Sequence, residues 1–183
     1  MTGGIDAWNG LLSRAEVDQG IYLIEGDESP EEVLSLAYGL EDGIYRFYST
    51  LAEGSTEKDV GELFEKLAKA EVHHKNNIWE SYRALTSGRL TRKAFEAETV
   101  PKTMEGGKTA DQILEEQGDS IQNSRDAIEL AMSLETDALD LYLRMVHKTQ
   151  KEEAKAVFFA IVTEEKSHLK RLGELFRKKL KGQ

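Results

Sequence analysis

Two Glu-x-x-His units, Glu71-Val72-His73-His74 and Glu165-Lys166-Ser167-His168, each follow a lone glutamate, Glu41 or Glu135, by 30 residues. On a helix, residues three apart project from one face, so each unit offers a carboxylate and an imidazole to one ion. If all four segments are helical, the chain carries four carboxylates and two imidazoles in two matching halves. That is a ligand set for a pair of metal ions inside a four-helix bundle. Four ionised carboxylates balance two divalent cations, which lets such a cluster be buried without the desolvation cost of unpaired charge. Without metal the same cluster repels itself, and some glutamates are expected to take up protons. Carboxylate and imidazole suit iron or manganese, with zinc able to occupy the site on affinity grounds. Six protein ligands over two ions leave positions for oxygen or peroxide, so peroxide reduction or iron oxidation is the expected reaction class.

The elements that must position these residues can be read from the apolar periods. A first long helix begins at Ser29-Pro30-Glu31-Glu32, where Ser29 can cap, Pro30 suits the first helical position and Glu32 can close a capping box. It is expected to run to about Glu53, with Val33, Ala37, Leu40, Ile44, Phe47 and Leu51 as its inward stripe and Glu41 beside it. A second helix is expected from about Ser55 to Leu85, carrying Leu63, Leu67, Ala70, His74 and Ile78. Residues 88–119 lack a strong period, and short helices are expected within them near 91–97 and 109–117. Such a long crossover would make the second and third long helices parallel neighbours. The third is expected over about 120–148 and the fourth over about 150–180, with Thr149-Gln150-Lys151-Glu152 offering a second capping box.

A single Glu-x-x-His is a weak signal in an acidic helical sequence, and the internal repeat is what strengthens it. Shifted by 94 residues, Ala37, Leu40, Glu41, Tyr48 and Leu51 fall on Ala131, Leu134, Glu135, Tyr142 and Met145. Phe64, Leu67, Glu71, His74 and Ile78 fall on Phe158, Ile161, Glu165, His168 and Leu172. Glutamates, histidines and core stripe keep one register.

Composition narrows the alternatives. The 183 residues, 39% of them hydrophobic, suffice for one buried core. A formal charge of −10 argues against a nucleic-acid partner, which needs clustered Lys and Arg. The absence of cysteine excludes disulfides, thiolate zinc sites, iron–sulfur centres and cysteine nucleophiles. No apolar stretch approaches the roughly 20 residues of a membrane span, and Met1-Thr2-Gly3-Gly4 does not begin a signal peptide, so the expected location is the cytoplasm.

The stretch Leu40-Glu41-Asp42-Gly43-Ile44-Tyr45-Arg46-Phe47-Tyr48 with Glu71-x-x-His74, and Leu134-Glu135 with Glu165-x-x-His168, resembles the ferritin-like di-iron proteins, nearest rubrerythrin, over about residues 30–178. The resemblance implies an all-α ferritin-like four-helix bundle with a long crossover and two bound iron ions. It implies that Glu41, Glu71 and His74 serve mainly one iron and Glu135, Glu165 and His168 the other, with Glu71 and Glu165 as bridges. It further implies a peroxide-reducing oxidoreductase, or alternatively a ferroxidase or iron-handling protein; a metal-stabilised interaction module without redox turnover is a third reading. Rubrerythrins usually carry a rubredoxin domain with four cysteine ligands, which this sequence lacks, so electrons are expected from a separate donor protein. They also use an additional glutamate one turn after the first; here those positions are Ala138 and Ile44, which makes the site more symmetric. A homodimer is the default from the resemblance.

Other residues carry weaker signals. Tyr48 and Tyr142 sit two turns beyond Glu41 and Glu135 and could hydrogen-bond the ligands, or serve as core residues with a satisfied hydroxyl. His73 turns about 100° away from His74, toward the helix surface. His147 is placed to answer a helix dipole. Residues 1–28 form an expected N-terminal arm distinct from the bundle at 29–183, and Gly3–Gly10 resembles the closing segment of a rhodanese domain without its catalytic cysteine loop.

Overall fold

The computed structural model describes residues 27–56, 58–99, 109–117, 121, 123–150 and 152–181. The N-terminal arm around Trp8 and the rhodanese-like stretch lie outside them. Among the described residues the chain forms helices α1 (Pro30–Gly54), α2 (Lys58–Leu85), α3 (Arg92–Glu98), α4 (Ala110–Gln117), α5 (Ser124–Lys148) and α6 (Glu152–Lys181). None of these is long and apolar enough to cross a membrane.

Helix α1 starts as its sequence dictates. The Ser29 hydroxyl accepts from the Glu32 backbone N–H at 3.2 Å while the Glu32 carboxylate accepts from the Ser29 N–H at 2.7 Å, closing the capping box. Helix α2, expected to start near Ser55-Thr56-Glu57, begins at Lys58, directly after that stretch, while Ser55 adopts extended backbone and ends α1. Thr149 departs from expectation. It terminates α5, its N–H bonded to the Met145 carbonyl, and its buried hydroxyl finds no partner, so no second capping box forms on it.

Short connections fold α1 on α2 and α5 on α6 as two hairpins, and the hairpins close on each other through α2 with α5 and α1 with α6. The core divides into two apolar clusters. One gathers the beginning of α1 (Val33, Leu34, Tyr38), the end of α2 (Ile78, Tyr82), the end of α5 (Leu141, Met145) and the beginning of α6 (Phe158, Ile161). The other gathers the end of α1 (Ile44, Phe47), the beginning of α2 (Val60, Phe64), the beginning of α5 (Ala127, Ile128) and Leu172 of α6. Ends meet ends in this distribution, so α2 and α5 run parallel, as the crossover requires. Each long helix changes cluster where its glutamate or Glu-x-x-His unit lies. The polar residues therefore form a layer across the middle of the bundle with apolar packing on both sides.

The crossover helix α3 is pinned over the first cluster. Thr91 caps it, and Phe95 lies buried between Tyr38, Trp79 and Tyr82 at ring-centroid distances of 5.1, 5.4 and 4.3 Å. Tyr38 donates to Glu96 at 2.6 Å, and Arg92 donates to Asn76 of α2 at 2.7 Å. Helix α4 packs on α1 through Ile113 in the second cluster.

Candidate metal centre

Glu41, Glu71, Glu135 and Glu165 are at most 2% exposed, and His74 and His168 only 4% and 7%. Each of the four long helices delivers one carboxylate to the same layer, and α2 and α6 add an imidazole one turn later. His74 Nδ1 lies 3.0 Å from Glu41, 3.1 Å from Glu71 and 3.7 Å from Glu165. His168 Nδ1 lies 3.2 Å from Glu135, 3.9 Å from Glu71 and 4.0 Å from Glu165. The two imidazoles stack, their centroids 4.5 Å apart and their planes within 11°. All six residues expected from the sequence are thus brought together.

Both tyrosines reach the layer from the opposite half of the repeat. Tyr48 donates to Glu135 Oε1 at 2.9 Å, and Tyr142 donates to Glu41 Oε1 at 3.1 Å. Burial pushes the Tyr48 hydroxyl well above its ordinary value, and the charges of Glu135 and Glu71 add to the effect, so it remains a proton donor.

The carboxyl groups separate into two kinds. Burial raises Glu71 well above the usual carboxylate range, with the charges of Glu41 and Glu135 adding to it against the pull of His74. Burial likewise raises Glu165, reinforced by its hydrogen bond to Glu135 and by the charges of Glu41 and Glu135. For Glu41, burial opposes ionisation, but the hydrogen bond and charge of His74 and hydrogen bonds from Glu71 and Tyr142 outweigh it and hold the group low. Glu135 is held low in the same manner, against burial, by His168, Glu165 and Tyr48. Burial alone would lower His74, yet Glu41 and Glu71 raise it from 6.5 to about 11. Two acids are thus held low and two pushed high beside an imidazole raised to about 11, a division of charge that eases the burial of four carboxyls in one layer.

The donor set fits cations. Glu71 Oε1 is buried without a hydrogen-bond partner, an orphaned acceptor that stands 3.9 Å from His168 Nδ1. Three groups, Glu41 with His74 and Glu165, Glu135 with Glu165 and His168, and Glu71 with both histidines, each bring one ligand atom per residue within 4.8 Å of one another. Glu165 belongs to two of them, and Glu71 lies 3.1 Å from His74 and 3.9 Å from His168. Ile44 and Ala138 are buried apolar residues, so no additional carboxylate enters at those positions.

The remaining sequence candidates lie elsewhere. His73 and His147 are exposed. Tyr38 serves the crossover, and the Lys75 ammonium lies over the Tyr45 ring at 4.6 Å. A polar pocket is lined by Tyr38, Asp42, Arg46, Lys75 and Glu96, but its charges are already paired, Lys75 and Arg46 with Asp42 and Glu96 with Arg92. Sequence reasoning missed Glu164, whose Oε2 lies 3.3 Å from Nε2 of His74.

Comparison with known proteins points the same way. The sequence model of the rubrerythrin family matches residues 32–176. Among solved structures, a hypothetical protein from Pyrococcus furiosus is similar over 85% of this chain and 92% of that one, at 26% identity and a TM-score of 0.53. No curated protein matches.

Proposed function

The chain belongs to the rubrerythrin family, and from that premise we propose that it is a di-iron oxidoreductase that reduces hydrogen peroxide to water with electrons from a separate donor protein. The observation that carries this reading is the buried layer itself, in which four carboxylates and two imidazoles from four helices face one another at 3–4 Å. Glu41, Glu71 and His74 would hold one ion and Glu135, Glu165 and His168 the other, with Glu71 and Glu165 shared. When bound, a pair of ferrous ions supplies the two electrons that cleavage of the O–O bond takes up.

The protein's own part is positioning and exclusion. Tyr48 and Tyr142 fix one oxygen of Glu135 and of Glu41, leaving the other facing the imidazole of its own half. The two apolar clusters shut the layer off from bulk water along the bundle axis. In that dry setting, fixed hydrogen bonds hold charge more strongly than they would in water.

Anaerobic loading with ferrous iron, followed by peroxide, tests the reading. Expected is consumption of one peroxide per iron pair, with a di-ferric absorption band that a reductant abolishes. Continuous iron oxidation with accumulating mineral would instead assign a ferroxidase, and metal binding without peroxide consumption an interaction module.

A further inference from the structure

Glu164 stands on α6 immediately before Glu165, yet it points to the seam with α2 and not into the layer. Its Oε2 lies 3.3 Å from His74 Nε2, while its Oε1 accepts from Asn77 Nδ2 at 3.2 Å. Asn77 lies one turn after His74 on α2. The His74 imidazole thus spans two environments, with Nδ1 toward Glu41 and Glu71 and Nε2 toward Glu164.

The other half offers nothing comparable. The 94-residue repeat places Ala70 where Glu164 stands and Arg171 where Asn77 stands. Alanine has no polar side-chain atom, and arginine carries donors only. His168 Nδ1 meets Glu135 much as His74 Nδ1 meets Glu41, but among the described residues no carboxylate pairs with its Nε2. A layer symmetric in its six inward-facing groups is unsymmetric in what stands behind the imidazoles.

We propose that Glu164 is a positioning residue that makes the metal position served by His74 the tighter of the two, so that the ions load in order, His74 side first. This rests on the reading of the six-residue layer as a two-ion centre. A carboxylate on the outer N–H of a ligating imidazole fixes the tautomer that leaves the inner nitrogen free to bind, orients the ring and raises its basicity. Loss of such a partner typically lowers metal affinity about 10–100-fold. Asn77 holds Glu164 in place by occupying its second oxygen.

Cobalt(II) titration of the full chain, read by visible absorption and calorimetry, tests this. The wild-type protein is expected to bind two ions with dissociation constants about 10–100-fold apart. Glu164→Ala should bring them to within about threefold by weakening the first, and Ala70→Glu should tighten the second. Glu164→Gln, which can still accept a hydrogen bond but carries no charge, should leave an intermediate gap and serves if the alanine variant folds poorly. In the hyperfine-shifted proton spectrum of the cobalt protein, the imidazole N–H at the first-loaded position should exchange slowly with D2O in the wild type and rapidly in Glu164→Ala, a change a purely structural role would not produce. Two equal constants in the wild type, or an unchanged gap in a stably folded Glu164→Ala, overturn the inference and leave the two-ion reading intact. A wild-type chain that binds no cobalt overturns the two-ion reading itself.

Discussion

Tyr48 on α1 donates its hydroxyl to Glu135 on α5 across 87 residues of sequence, at 2.9 Å. Tyr142 returns the bond to Glu41 at 3.1 Å. Each half of the repeat therefore satisfies the glutamate of the other, and the two hairpins are joined through their most polar residues. Tyr48→Phe and Tyr142→Phe should each lower the stability of the metal-free protein by about 1–3 kcal/mol, the range for leaving a buried acceptor short of a partner. Urea unfolding measures this, and a negligible loss in both would mean that these bonds do not hold the hairpins together.

Stability of the metal-free protein should fall as pH rises from 6 to 9. His74 is raised from 6.5 to about 11, so its contribution is complete below 6.5 and is lost as pH climbs toward 11. Glu71 and Glu165 keep their protons in the fold at pH values where the unfolded chain has released them, which acts in the same direction. Glu41 and Glu135, held low, contribute above about 4.5 and lose that contribution only in acid. Bound cations require all six groups deprotonated, so metal loading should reverse the trend. Thermal melts at several pH values, with and without metal, would count against this if the metal-free Tm rose over the window.

Glu71→Gln should separate folding from binding. Burial pushes the Glu71 carboxyl well above the usual carboxylate range, so a neutral amide of the same shape should change apo stability little. Metal affinity should fall by more than the roughly 10–100-fold expected for loss of an outer partner, and Glu165→Gln should behave alike. Equilibrium dialysis with metal analysis checks it; retention of two ions at parent affinity in both variants would refute the assignment of these ligands.

Phe64→Ala and Phe158→Ala remove repeat-related side chains, both fully buried, from opposite clusters. Each should cost about 3–5 kcal/mol. Because the polar layer lies between the clusters, the double variant should be additive to within about 0.5 kcal/mol. Strong non-additivity in denaturant unfolding would show that the clusters communicate through the layer.

Much of this was legible in the sequence because it is written in local periods. Ser29 and Glu32 fixed the start of α1, and the 94-residue register found all six residues of the layer. The crossover helices fall within a residue of 91–97 and 109–117. Less legible were features set by chain reversal: Ser55 and Thr149 have the composition of helix starts but serve as helix ends. The pairing of Tyr48 with Glu135 could not be read either, since residues 87 apart meet only once the hairpins dock. Glu164 resembled any exposed helical glutamate, and its one signal was a break in the repeat, a charge where the other half has Ala70.

That break has a consequence for what one continuous polypeptide permits. Two identical half-length chains closing the same layer would be related by a two-fold axis, and every substitution would appear on both sides at once. A single chain lifts that obligation. Glu164 and Asn77 can stand on one side while Ala70 and Arg171 stand on the other, so the two positions are free to acquire different chemical personalities without any change to the residues that face them.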